Sequence, residues 1–209
     1  MSESLTYDSL VIDIASYCER SDTEFLAQIP RFIMLAENKL ATEVKGLGFL
    51  RVVNTTLTTS NAVYPKPARW RETASFSITS ANQRSFLKQR SVEYVQTYWP
   101  DETSLDTPEY YADYDYEHWL IAPTPDAAYS AKLSYYERPE PLDVTNQTNW
   151  TTRYAPQLLL SACMIEAQSF LKTPERLKEF QSMYQSAAVA INKENANRFV
   201  DKSSSRGTK

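Results

Sequence analysis

The chain has 209 residues, 42% hydrophobic and 23% charged, with a formal net charge of −4. That length supports one or two domains and buries roughly 70% of the unfolded surface, so neither a disulfide nor a metal is needed for folding. The acidic balance excludes a general attraction to nucleic acid, and having only 3 glycines excludes most phosphate-cradling loops, which need several for close backbone approach.

Residues 7–19 carry Tyr7, Leu10, Val11, Ile14, Tyr17 and Cys18 at helical spacing and predict a first helix. Ser21-Asp22-Thr23-Glu24 has the pattern of a capping box. It opens a second helix whose stripe is Phe25, Ile29, Phe32, Ile33, Ala36, Leu40 and Val44. Pro30 lies inside that run and predicts a kink, or a short turn followed by a fresh helix. Gly46 is expected to stop the helix, and Gly48 to free the chain for a change of structure.

From about Phe49 to Leu142 the apolar period becomes two. Val53, Thr55 and Leu57 begin a strand. Ala74, Phe76 and Ile78 alternate with Thr73, Ser75, Ser77 and Thr79, the pattern of a half-buried strand. Residues 80–83 read as a turn, with Phe86-Leu87 starting the return. Residues 91–98 read as one short helix. A second hairpin is expected from residues 117–121, a turn at 123–126, and Ala131 to Tyr136. Short strands with polar turns point to a small antiparallel sandwich or barrel, closed by Pro139 and Pro141.

Residues 150–199 predict a helical hairpin. Its first arm, with Leu158, Leu159, Ala162, Cys163, Ile165, Phe170 and Leu171, leaves little polar face, so it is either central to its own core or shared with another copy of the chain. Thr173 and Pro174 open a second arm of about 25 residues with Leu177, Phe180, Tyr184, Ala187 and Ile191 in a stripe. The reading is therefore an α+β chain. A helical bundle of residues 1–48 and 143–200 carries an inserted antiparallel β domain, 49–142, and residues 201–209 have no apolar side chain with which to fold alone.

Chemistry is sparse. Cys18 and Cys163 are isolated and read as buried, reduced thiols. His118 is the lone histidine, expected to be structural, and no nucleophile–base set or metal-ligand spacing is visible. Neither an enzyme nor a cofactor is expected. With no signal peptide and no apolar run of about 18 residues, a soluble, non-membrane protein is expected. Asn54, Asn146 and Asn149 head glycosylation sequons that read as chance. Residues 101–117 hold 7 acids, no base, and Tyr110, Tyr111, Tyr114 and Tyr116, which reads as a solvated acidic loop or as a surface along which DNA slides without sticking. Residues 192–209 hold 5 bases against 2 acids.

One resemblance covers about residues 5–198. Ser21-Asp22-Thr23-Glu24-Phe25, Ile29-Pro30, Ile33 and Ala36-Glu37 come first; then the runs 119–125 and 133–142; then Asn149-Trp150, Tyr154 and the helix 158–167. In this order and spacing they resemble the head-to-tail adaptors of tailed bacteriophages, the family that includes the tail tubular protein A type. The resemblance implies a virion protein made in the host cytoplasm, with no catalytic residues. It implies twelve copies in a ring under the portal, around an axial DNA passage. It also implies that the helices and C-terminal residues face the portal and the β part faces the tail nozzle. On that basis Arg198, Lys202, Arg206 and Lys209 are candidates for the portal side, and Tyr110, Tyr111, Tyr114 and Tyr116 for the tail side or for contacts between copies. The alternative is a monomeric binding module whose Tyr/Trp-rich β domain holds a ligand such as a carbohydrate.

Overall fold

The computed structural model describes residues 5–44 and 46–199, with backbone alone at 47, 198 and 199. In chain order the elements are α1 (Tyr7–Cys18), α2 (Thr23–Glu43), a 3-10 turn (Leu47–Phe49), β1 (Leu50–Leu57), β2 (Val63–Pro65), β3 (Trp70–Ser80), β4 (Gln83–Phe86), β5 (Lys88–Gln89) and α3 (Val92–Tyr98). They continue as β6 (Leu105–Asp106), β7 (Tyr110–Asp113), β8 (His118–Ala122), β9 (Thr124–Pro125), β10 (Tyr129–Glu137), α4 (Trp150–Tyr154), α5 (Pro156–Leu171) and α6 (Pro174–Phe199). The fold is α+β. It separates into two compact units, one containing the residues up to Phe49 and from Arg138 onward, the other Leu50–Glu137.

In the helical unit α5 is the central element, packed by α1, α2, α4 and α6. Leu158, Leu159, Ala162, Cys163, Met164, Ile165 and Ala167 are all buried. These side chains form the centre of the helical unit's own core, while Phe170 near the end of the helix remains 45% exposed. Every residue of the expected α2 stripe is buried, from Phe25 to Val44. Three local expectations fail in whole or in part. The α2 N-cap is Asp22, not Ser21: its carboxylate accepts the Phe25 N–H at 3.0 Å. Helix α2 runs through Pro30 without a break, so of the two readings offered there the turn followed by a fresh helix does not hold. Neither Gly46 nor Gly48 has positive φ. Both are required for close approach instead: a Cβ on Gly46 would lie 2.5 Å from the Asn195 side chain, and one on Gly48 2.0 Å from the Trp150 indole.

The β unit is a sandwich of two four-stranded sheets, β1-β10-β3-β4 and β2-β8-β7-β5, with β6 and β9 pairing separately. Between the sheets Leu57, Phe76, Ile78, Leu133 and Tyr135 meet Tyr111, Trp119 and Ile121. On the other side of β8 and β7, Leu120, Ala122 and Ala112 pack with Val95 of α3. The expected hairpin of β8 with β10 does not form: β8 pairs with β2 and β7, while β10 pairs with β1 and β3 in the opposite sheet. Ala74 is exposed rather than inward, because the β3–β10 register skips it between Ser75 and Thr73, a bulge that reverses the phase of the strand. Thr73 then turns inward, and its hydroxyl accepts the indole N–H of both Trp70 and Trp119 at 3.1 Å.

Candidate functional site

The one histidine is engaged locally. His118 Nδ1 lies 3.0 Å from both carboxylate oxygens of Asp115, and Asp115 Oδ1 also accepts the backbone N–H groups of Glu117 and His118 at 2.6 and 2.7 Å. This arrangement closes the β7–β8 turn and brings no nucleophile to the imidazole. Among the described residues no group of three or more His, Cys, Asp and Glu could hold a metal ion. None of the described helices is long and apolar enough to cross a membrane.

What the turn does present is surface. Lys66, with a side chain only 2% exposed, places its ammonium 2.8 Å from Asp113, 2.8 Å from the Asp115 carbonyl and 3.8 Å from the centre of the Trp70 ring. Its backbone N–H donates to the Glu117 carbonyl at 2.6 Å. The clamp fixes the segment that carries Tyr114 and Tyr116, 46% and 67% exposed, with Tyr116 edge-on to Trp70. The acidic run is therefore not a loop throughout: its middle is strand β7, and Tyr111 leaves the candidate surface for the core. Burial between the sheets, followed by the charge of Asp113, pushes the Tyr111 phenol up to about 12. Tyr110 is half-buried, its ring 5.0 Å from Trp99 and 6.1 Å from Tyr94, with the Arg90 guanidinium 5.7 Å above it. Of the four tyrosines, Tyr114 and Tyr116 are the well-exposed pair.

On the helical unit, Val11, Ile12, Ala15 and Leu26 line an apolar groove between α1 and α2, with Glu19 and Arg20 at its edge. Ile12 is 65% exposed. On α6, Val189 is also largely exposed. The sequence reading missed this groove, although Ile12 and Leu26 stand outside the two core stripes and could have signalled it. Arg198 belongs to the end of α6, but its side chain, with Lys202, Arg206 and Lys209, lies outside the described residues. Cys18 and Cys163 are buried, and burial raises both thiol pKa values, that of Cys163 strongly.

A family model described as SU10 adaptor protein matches residues 5–206, a span running through both units. No curated protein matches the chain.

Proposed function

We propose, since this chain belongs to the SU10 adaptor protein family, that copies of it close into a ring at the junction of phage head and tail. The family is one of head-to-tail adaptors, so the chain is a structural component of the virion that works with portal and tail proteins. The finer reading is a ring, dodecameric as in the adaptors it resembles, around a passage for DNA. The observation that carries the reading is the family match across both units. A ring needs two different patches on each copy, one to meet the neighbour on each side. The apolar groove of α1 and α2 and the exposed apolar side chains of α6 are two such patches. A net charge of −4 also suits a passage through which DNA slides unheld.

In this reading the helical unit, with Arg198, Lys202, Arg206 and Lys209, meets the portal. Tyr110, Tyr114 and Tyr116 of the β unit meet the tail side or the next copy. Attachment to portal-containing capsids tests it. Full-length protein should bind, and deletion of residues 201–209 should weaken binding while leaving the melting temperature nearly unchanged. Undiminished binding by the truncated protein would remove the basic residues of the tail from the portal contact. Failure of the full-length protein to bind would remove the portal altogether.

A further inference from the structure

The β unit contains a cavity that the adaptor reading does not use. Its volume is ≈ 210 Å³, and Val95, Trp99, Leu120, Ala122, Asp101 and Glu102 are among its lining residues. The floor is apolar and small-residued: Val95, Leu120, Ala122 and Ala62 belong to the buried cluster under α3. Alanines stand at 62 and 122 in the lining, where larger side chains would fill the space. Trp99, which follows α3, forms part of the wall. At the mouth stand two exposed carboxylates, Asp101 and Glu102. Asp101 accepts from Thr103 only through Oδ1, so Oδ2 is not used in that turn. Among the described residues, the lining contains no base.

Size and charge together select the occupant. Small-molecule sites run from about 300 Å³ upward, so this cavity holds a single side chain rather than a whole ligand. An apolar floor, an indole wall and a carboxylate rim complement a cation on an apolar stem. Arginine fits all three, because its methylenes pack, its guanidinium stacks on aromatic rings, and its five N–H groups match carboxylates. We propose that this cavity is a socket for one arginine side chain projected by a protein partner. The identity of that partner as a virion protein rests on the adaptor reading; the socket itself does not.

The test uses full-length protein labelled with 5-fluorotryptophan, whose 4 tryptophans give separate fluorine resonances, with Trp99→Phe to assign the relevant one. N-acetyl-arginine amide is the probe, and N-acetyl-citrulline amide is its uncharged isostere. Arginine amide should shift the Trp99 resonance to saturation, with an affinity on the order of millimolar, and citrulline amide should not. The double variant Asp101→Asn/Glu102→Gln should weaken arginine binding about fivefold, as two exposed ion pairs would. No saturable shift with the arginine probe, or an equal shift with citrulline, would overturn the socket. Unchanged affinity in the double variant would overturn its charge recognition. Because no ring or portal takes part, a failed titration leaves the adaptor assignment standing.

Discussion

Glu37 in the helical unit and Lys66 in the β unit are both nearly sealed from water, and they are held in opposite ways. Lys66 is matched by a full opposite charge, a carbonyl and an indole face. Glu37 has neutral partners only: the Leu142 N–H at 3.2 Å and the Asn149 amide at 2.7 Å. Burial therefore dominates, and the Glu37 carboxyl is pushed up to about 7, against the lowering by its two donors. A compensated buried charge is a structural clamp. An uncompensated one makes folding depend on pH. The β unit gains a rigid turn from the first, while the second holds the returning chain, from Leu142 to Asn149, against α2.

The comparison breaks most readily at Lys66. Lys66→Ala should destabilise the protein by about 4 kcal/mol, since it empties a buried position against the Trp70 indole and leaves the Asp115 carbonyl without its donor. Urea unfolding would measure the loss, and a change under about 0.5 kcal/mol would show that the clamp is ornamental.

Glu37 supplies the next effect. Its folded pKa lies above its ordinary 4.5, so between about 4.5 and about 7 the folded state binds the extra proton. Stability from this group is complete below that window and lost as pH rises through it, a change on the order of 3 kcal/mol. In Glu37→Gln the slope of melting temperature over that range should flatten. An unchanged slope would assign the pH dependence elsewhere.

Gly48→Ala should cost about 2 kcal/mol, because its new Cβ would meet the Trp150 indole at 2.0 Å in an already packed unit. Tryptophan emission would report the displacement. The smallest effect is expected at Cys18 and Cys163, whose raised thiol pKa values and burial should leave both nearly unlabelled by a thiol reagent in the native protein. Rapid labelling of either would contradict the packing around α5.

Helices were legible in the sequence because their period is local: the α2 stripe and the α6 stripe can be read from neighbours three and four apart. Strands were partly legible, since alternation shows a strand but not its partner. Nothing near β8 or β10 indicates that they belong to opposite sheets, and β7 was hidden because its flanking acids outweigh the short apolar step of Tyr111 and Ala112. The Ala74 bulge reverses a phase that alternation assumes constant. Gly46 and Gly48 were read for backbone freedom, whereas their need comes from Asn195 and Trp150, both more than 100 residues away in sequence. The surface tyrosines were visible by composition. The Lys66 clamp and the small cavity beside Trp99 depend on residues that only tertiary structure brings together.

A native mass spectrum of the full-length protein, recorded alone and with its portal, bears most directly on the ring. The account predicts one discrete closed multimer, in the free protein or upon adding portal. A monomer at every concentration in both samples would contradict it.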